Sequence, residues 1–194
     1  MLQYLNKCFI SKTISSKRTF YQWLNTVFNK VDEQRIKDVG PDRAAAEWLL
    51  RCGASVKWKN KDKWVSDYNM LHMEFLPKNV IEEIDASDSC IMNVGFPYLK
   101  GLKHLKIIKL HKCSYIEDTC LSMLLAVKDS LQHLEIVSCG NVTDKGILSL
   151  ARLTNLKLLY LYDLPEVTDR EHCLLVLQNN LPKCKLSFPV IPEA

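Results

Sequence analysis

Apolar positions recur in a fixed pattern along the second half of the chain. Each copy starts with Leu and has apolar residues three and five positions later. Cys or Leu, an apolar residue and Asp follow at the eighth, eleventh and thirteenth positions after that Leu. Full copies span residues 105–118, 131–144 and 156–169, and a weaker copy opens at Ile81. The starts lie 24, 26 and 25 residues apart, which matches the period of leucine-rich repeats, roughly 20–29 residues.

Each repeat predicts one strand and one returning helix. Alternate side chains of a strand point to opposite faces, so the apolar positions would face the core and the positions between them would face solvent. The apolar runs 121–127, 147–153 and 171–181 predict helices on the convex side. The sequence therefore predicts an α/β protein, a short leucine-rich-repeat solenoid of about four repeats over residues 80–188, with a C-terminal tail over residues 189–194.

An N-terminal helical domain, residues 21–55, is predicted to cap the repeats. Apolar residues at helical spacing predict a first helix over residues 21–30. Pro41 suits the first turn of another helix because its missing N–H has no partner there. Gly53 suits the left-handed residue that ends many helices.

Residues 56–79 are predicted to connect the cap to the repeats through a short hairpin and a loop. Val56 and Trp58 alternate with lysines, and residues 63–65 form the predicted second strand. A mixture of aromatic and basic residues can bind phosphate or lipid. Lysines also keep the edge strand of a sheet soluble, and this second interpretation is favoured.

The first 20 residues are predicted to be a mitochondrial presequence. Residues 1–30 contain five Lys and Arg, and the first carboxylate is that of Asp32. A basic, hydroxyl-rich segment without acidic residues is typical of such presequences. A cationic amphipathic helix is also attracted to anionic membranes. The alternative is a disordered basic tail.

Composition narrows the class of protein without defining its function. Apolar residues make up 47% and charged residues 25% of the 194 residues, which are ordinary globular values. No apolar run approaches the roughly 20 residues that a membrane-spanning helix needs. A net charge of +4 is mild for a nucleic-acid-binding protein, so nucleic acid is not a predicted partner. Eight cysteines without a Cys-x-x-Cys pair argue against a zinc ribbon and favour a reducing compartment.

A protein-binding surface is a better prediction than an active site. The sequence has no nucleotide-binding glycine loop and no metalloprotease or hydrolase motif, so neither an enzyme nor a small-molecule substrate is predicted. Stacking the repeats predicts two columns of side chains on the concave face: Asp85, Lys109, Glu135, Tyr160 and Ser87, His111, Val137, Tyr162. Tyrosines anchor interfaces well. The predicted partner contacts are Lys109, His111, Tyr160 and Tyr162.

Two smaller clusters suggest metal or thiol chemistry, each beside a simpler interpretation. Residues 85–89 are rich in carboxylate and hydroxyl oxygens, which suit a hard cation such as magnesium or cap backbone groups at the end of the sheet. His111 and Cys113 lie two residues apart on a strand, so they are expected to face the same side. With Cys120 they would make a thiol or metal site, but a buried core role is favoured.

Several segments resemble one known family more closely than the repeats alone require. They are Trp23–Asp32, Asp38–Ala45, Glu47–Gly53, Ile84–Met92, Cys113–Asp118 and Ser138–Ile147. On these residues the chain resembles the mitochondrial ATP synthase subunit s family, also called coupling factor B, over about residues 21–181. The helical leader makes the resemblance specific, because it is not a general feature of leucine-rich repeats.

The resemblance implies a non-enzymatic peripheral protein on the matrix side of the mitochondrial inner membrane. Its implied partners are membrane-sector subunits of ATP synthase, and its implied role is to modulate proton conduction coupled to ATP synthesis. The family also implies a structural magnesium ion at the junction of cap and repeats, at positions that match Gly53 and Ser87. Ser87 replaces a family Thr and keeps the hydroxyl oxygen. His111 replaces the first Cys of the family's Cys-x-Cys dithiol, so that dithiol is absent here.

Three other functions remain open from the sequence. A sister family with similar repeats assists assembly of the membrane arm of respiratory complex I, and physical reasoning does not separate the two roles. A thiol- or metal-dependent enzyme would use His111 and Cys113. An F-box-like ubiquitin-ligase adaptor also uses repeats that contain cysteines, although the basic leader argues against it.

Overall fold

A computed structural model describes residues 15–71 and 79–189 of the chain, with side chains described from residue 21 onwards. The predicted presequence therefore lies mostly outside the described residues, as do parts of the predicted connecting loop and C-terminal tail. The domain boundaries proposed from the sequence stay predictions. Within the described ranges, every helix is too short or too polar to cross a bilayer.

Three helices form the N-terminal part of the structure. They are α1 (Ser15–Asn29), α2 (Glu33–Val39) and α3 (Pro41–Arg51). The helix α2 was not expected from the sequence; its first turn is capped by Asp32, whose carboxylate accepts the backbone N–H of Arg35. Gly40, with φ at 83°, separates α2 from α3, and Pro41 occupies the first turn of α3 as expected.

The described residues form one seven-stranded sheet. Its strands are β1 (Ser55–Trp58), β2 (Trp64–Val65), β3 (Ile81–Asp85), β4 (Ile107–His111), β5 (His133–Val137), β6 (Leu158–Tyr162) and β7 (Lys185–Ser187). The order is β2-β1-β3-β4-β5-β6-β7, with β1 antiparallel to both neighbours and β3 to β7 parallel. The α/β class and the predicted strands are confirmed, whereas β7 was not foreseen.

Equivalent positions of successive repeats pair across the parallel strands. Ile108 pairs with Leu134, and Leu134 pairs with Leu159. Residues at the same position of successive repeats therefore form a row that runs across the strands. These apolar rows are buried against the helices, and the residues between them are half-exposed. The sheet therefore has one buried face and one face open to solvent.

A left-handed residue follows each of the strands β3 to β6, directly after β4, β5 and β6 and three residues after β3. These residues are Asp88, Lys112, Ser138 and Asp163, with φ between 52° and 56°. The backbone N–H of each of the first three donates to the carbonyl that ends the next strand, for example Lys112 N to Val137 O at 2.8 Å. A residue with a β-carbon tolerates this conformation only at a cost of about 1 kcal/mol, so the repeated hydrogen bond helps to hold the turn.

Short helices return the chain along the buried face. They are α4 (Asp118–Met123), α5 (Asp144–Ser149) and α6 (Arg170–Asn180). The first two begin three residues before the predicted helices and tighten into 3₁₀ turns over Leu124–Val127 and Leu150–Arg152. The repeated Asp at the start of a helix links neighbouring repeats, because the Asp118 carboxylate accepts the N–H and O–H of Thr143 at 2.8 and 2.7 Å.

A fully buried amide joins the helical part to the first repeats. Asn29, at the end of α1, accepts from Trp48 Nε1 at 3.0 Å and from Met92 N at 2.7 Å, and it donates to Cys90 O at 2.8 Å. Trp48 stacks on Tyr98 with ring centroids 5.5 Å apart. Tyr98 belongs to a 3₁₀ helix, Asn93–Leu99, that replaces the helix of the first repeat. One core is therefore shared by both parts.

A buried carboxylate holds α2 on α3. Glu47 accepts hydrogen bonds from Arg35 at 2.7 and 2.9 Å and from Arg43 at 2.8 Å. Burial alone would raise the pKa of Glu47, but the hydrogen bonds and charges of the two guanidinium groups outweigh it and lower that pKa. Only about 8% of the Glu47 side chain and 7% of the Arg43 side chain are exposed, so neither charge has ready access to solvent.

We expect Gly95→Ala to destabilise the protein. A β-carbon at this position would overlap the Trp48 indole, which is 1% exposed and has nowhere to move. Overpacking of this kind costs about 1–3 kcal/mol in the free energy of unfolding, measurable by urea denaturation. The matched variant Gly140→Ala, whose β-carbon meets nothing within 4 Å, should change stability by less than about 1 kcal/mol. Equal losses in both variants would contradict this packing.

We also expect Glu47→Gln to destabilise the protein in a pH-dependent way. Near neutral pH the loss should be about 3 kcal/mol, because the Arg43 charge is left buried without its partner. The folded-state pKa of Glu47 lies below its ordinary value of 4.5. The stabilisation by ionised Glu47 is therefore complete above that value and is lost as the pH falls through the folded-state pKa.

Thermal unfolding of wild type and Glu47→Gln across this pH range measures the effect. The difference in stability between them should shrink at acidic pH. The exposed residue Glu166 provides the control, since Glu166→Gln should stay close to wild type at each pH. A constant difference for Glu47→Gln would show that its charge does not hold the helices.

Candidate interaction surface

The half-exposed side chains of the strands form one continuous surface, here called the exposed sheet face. Strand register arranges them in rows that run across the strands. The rows are Trp64, Lys57, Glu83, Ile107, His133, Leu158, Lys185; then Ser55, Asp85, Lys109, Glu135, Tyr160, Ser187; and His111, Val137, Tyr162. The apolar neighbours of these residues within each strand point to the core.

Glu135 organises the charged centre of the exposed sheet face. Its carboxylate lies 3.7 Å from Lys109 Nζ and 2.9 Å from His111 Nε2. All three side chains are between 23% and 34% exposed, so they are accessible without being fully hydrated. A protein group that replaces the remaining water here would meet preformed charges of both signs.

An aromatic patch adjoins this charged centre. Tyr160 and Tyr162 point to the same side of β6, and their rings stack with centroids 6.4 Å apart and planes 15° apart. Strand register pairs Tyr160 with Glu135 and Tyr162 with Val137. Stacked tyrosines offer a rigid apolar surface with polar hydroxyls, which is the composition of many interface centres.

The four residues predicted to contact a partner therefore lie together. The side chains of Lys109 and His111 both contact the carboxylate of Glu135. Tyr160 and Tyr162 lie on β6, which is separated from β4 by β5. Their role in binding a partner stays a prediction. The row that includes Ile107, His133 and Leu158 was not selected from the sequence, although it lies on the same face of the same strands, two residues before Lys109, Glu135 and Tyr160.

Gly53 and Ser87 lie at the junction of the helical part and the first repeat. The register of β1 and β3 pairs Ser55 with Asp85; Gly53 lies two residues before Ser55, and Ser87 lies two residues after Asp85. The backbone N–H of Cys90 donates to Cys52 O at 2.9 Å, which ties the two segments together. Gly53 ends α3 with φ at 85°, as its position in the sequence predicted.

The oxygen atoms at this junction are compatible with a weakly held hard cation. Ser87 Oγ donates to Asp85 Oδ1 at 2.6 Å, and Ser87 N donates to the same oxygen at 3.0 Å. Carboxylate, hydroxyl and carbonyl oxygens, as carried by Asp85, Ser87 and Gly53, are ligand types that magnesium accepts, together with waters. Among the described residues, no group of three or more His, Cys, Asp or Glu is placed to hold a metal.

The expectation that His111 and Cys113 face the same side is wrong. Lys112, between them, has φ at 53°, and this left-handed residue breaks the alternation of the strand. His111 lies on the exposed sheet face, whereas Cys113 is buried and its Sγ lies 3.0 Å from the Ala86 carbonyl oxygen. Cys120 is buried as well, so the three do not form an accessible site.

Three of the buried thiols, those of Cys113, Cys120 and Cys173, have a raised pKa. A hydrogen bond with Cys139 and burial raise the pKa of Cys113. Burial raises the pKa of Cys120 to about 11, and burial together with Asp144 raises that of Cys173 to about 12. Since the thiolate is the reactive form, none of these groups is prepared for nucleophilic chemistry near neutral pH.

The described residues therefore define an α/β protein of stacked strand–helix units whose sheet has one half-exposed face. The chain is 53% identical to the ATP synthase subunit s, mitochondrial, of Rattus norvegicus over 174 residues, covering 88% of this chain and 87% of the rat protein. Identity to the Homo sapiens protein of the same name is 52% over the same length. The chain belongs to the mitochondrial ATP synthase subunit s family.

A more distant relative carries a different name. The Distal membrane arm assembly component 2 of Drosophila melanogaster is 26% identical over 184 residues, covering 88% of this chain and 64% of the fly protein. A scan against protein-family models finds no match.

We expect cysteine reactivity to follow burial in the native protein. Cys184 is half-exposed, whereas Cys52, Cys90, Cys113, Cys120, Cys139 and Cys173 are buried. Among these seven cysteines of the described residues, a maleimide reagent at neutral pH should therefore modify Cys184 first, and the six buried ones only after addition of denaturant. Peptide mapping by mass spectrometry distinguishes the sites. Modification of Cys113 or Cys139 before Cys184 would contradict this expectation and would support a thiol-dependent function.

Proposed function

We propose that the protein is a non-enzymatic peripheral subunit of mitochondrial ATP synthase that acts by docking and modulates proton conduction coupled to ATP synthesis. The observation that carries this proposal is the identity of about half the residues, over 88% of the chain, to proteins named as that subunit. A mitochondrial location on the matrix side of the inner membrane follows from the same proposal.

The repeating units are best described as leucine-rich repeats, and this description supports a docking role. Parallel strands recur at intervals of 24, 26 and 25 residues, with buried Leu and Ile at the repeated positions. Repeats of this length and pattern are typical of solenoids, which present an extended surface to a partner. The helical part covers the first repeat and would keep the solenoid soluble at that end.

The exposed sheet face is the proposed contact with membrane-sector subunits of the synthase. It combines an aromatic patch at Tyr160 and Tyr162 with the charged group formed by Lys109, His111 and Glu135. Aromatic residues supply most of the binding energy of many interfaces, and the surrounding charges set orientation and specificity.

Assembly of the membrane arm of complex I is the second candidate function. The fly relative supports it by name, but at 26% identity against 53% for the rat subunit s. The partner recovered from mitochondria decides between the two functions.

We further propose that magnesium, when present, has a structural role at the junction of cap and repeats. Gly53 would supply a carbonyl oxygen and Ser87 a hydroxyl, with Asp85 as the charged neighbour. A cation held in this way would fasten the turn after α3 to the turn after β3.

We expect Tyr160→Ala combined with Tyr162→Ala to abolish most of the binding to ATP synthase. Loss of interface anchors commonly costs 2 kcal/mol or more, which corresponds to about thirtyfold weaker binding. Tagged protein captured from mitochondria solubilised in mild detergent, with mass spectrometry of the bound proteins, measures the change. Wild type should recover ATP synthase subunits, and the double variant should recover few.

Leu175→Ala provides the matched control for this capture. Leu175 is 59% exposed on α6, away from the exposed sheet face, so its loss should change neither the fold nor the recovery. Wild type that recovers no ATP synthase subunits would contradict the proposal. Recovery of complex I membrane-arm proteins in their place would support the second candidate.

We expect magnesium to raise the melting temperature of the wild-type protein. At about ten times the dissociation constant, binding to the folded state alone adds about 1.4 kcal/mol of stability. Ser87→Ala should weaken this shift because one oxygen ligand is lost, whereas Ser122→Ala, an exposed serine on α4, should leave it unchanged. An absence of any shift in the wild type would refute the magnesium site.

A further inference from the structure

The two edges of the sheet, where the strands begin and end, carry opposite charge. The segments 59–63, 100–106, 128–132, 152–157 and 182–185 meet where strands β3 to β7 begin, because β1 is antiparallel and ends at that side. They contain eleven Lys and Arg and two Asp. We call this set of segments the basic edge.

The opposite edge is acidic. The segments 86–92, 112–118, 138–145 and 163–171 follow the ends of strands β3 to β6 and together contain eight Asp and Glu against three Lys and Arg. Since the whole chain has a net charge of only +4, this separation of charge is a property of the fold and is not visible in the composition.

Most charges of the basic edge have no carboxylate partner among the residues that the structure describes. Lys106 is paired with Glu82 at 2.6 Å, and Lys59 Nζ lies 3.4 Å from His104 Nδ1. No carboxylate of the described residues lies within 4.0 Å of the charged groups of a further set: Lys61, Lys100, Lys103, Lys128, Arg152, Lys157, Lys183 and Lys185. All eight are exposed.

These unpaired charges are spread over a broad front. They lie at the ends of six of the seven strands along this one edge. Strands about 4.8 Å apart give a seven-stranded edge of about 29 Å. The set is almost entirely lysine, a compact and strongly hydrated charge that does not need the fixed bidentate geometry preferred by arginine. Such an edge is better matched to an extended surface whose negative charges can move than to a single protein site with charges in fixed positions.

We propose that the basic edge docks on the surface of an anionic phospholipid bilayer. Each Lys near such a surface contributes to attraction, and the acidic edge would be repelled, so the two edges together orient the molecule. In this orientation the strands stand away from the membrane and the exposed sheet face remains open sideways to a membrane-bound neighbour. The inference adds a membrane contact to the proposed function and rests on it for the protein's location beside a membrane.

Vesicle sedimentation with the purified full chain tests this contact. The probes are vesicles of phosphatidylcholine alone and of phosphatidylcholine with phosphatidylserine at about 3:1, which resembles an anionic leaflet. The basic-edge variant is Lys100→Glu with Lys103→Glu. The control variant is Lys112→Glu with Lys145→Glu, which removes two exposed lysines of the acidic edge. All proteins share the same basic N-terminal segment, so a difference between variants reports on the edge.

We expect wild type and the control variant to bind the anionic vesicles, and the basic-edge variant to bind at least about tenfold more weakly. Binding should disappear on neutral vesicles and at about 1 M salt, where the Debye length is about 3 Å. Failure of wild type to bind, or equal binding by both variants, would overturn the proposal.

The vesicles contain no protein partner, so their result is independent of capture from mitochondria. If the basic-edge variant keeps its vesicle binding but loses ATP synthase in that capture, the edge binds an acidic protein and the lipid proposal is wrong.

Discussion

The in-register parallel ladder from β3 to β7 is the constraint on which the rest of the structure depends. Because the sequence pattern repeats at intervals of 24 to 26 residues, residues at equivalent positions pair directly across the strands, as Lys109, Glu135 and Tyr160 do. A slip of one residue would turn every buried Leu to solvent and every polar residue to the core. The same register aligns the loops at each end, so it creates the exposed sheet face and the two oppositely charged edges together.

A repeated ladder has open ends, and the N-terminal part of the chain closes one of them. The antiparallel strands β1 and β2 extend the sheet, while Asn29 satisfies backbone groups of Cys90 and Met92 that no strand reaches. Trp48 fills the space under the first repeat and leaves no room for a side chain at Gly95. Gly95 belongs to the 3₁₀ helix of the first repeat, which packs on α3 at this point.

Periodic features could be predicted from the sequence and singular ones could not. The strands, their apolar faces and the grouping of Lys109, His111, Tyr160 and Tyr162 follow from repeated spacing. The burial of Cys113 apart from His111 depends on the left-handed Lys112, and a lysine gives no sign of that conformation. The partners of Asn29 outside its own helix lie 19 to 63 residues away in the chain, so only the fold reveals them. The charge on each edge likewise needs the topology, because its members come from separate loops.

The central claim is that the exposed sheet face, and not the helical side, contacts ATP synthase. A photo-crosslinking amino acid placed in mitochondria-targeted protein at Val137, in the middle of that face, tests it most directly when compared with the same group at Leu175 on α6. We expect covalent adducts with ATP synthase subunits from Val137 and none from Leu175. Adducts from Leu175 with none from Val137 would contradict it.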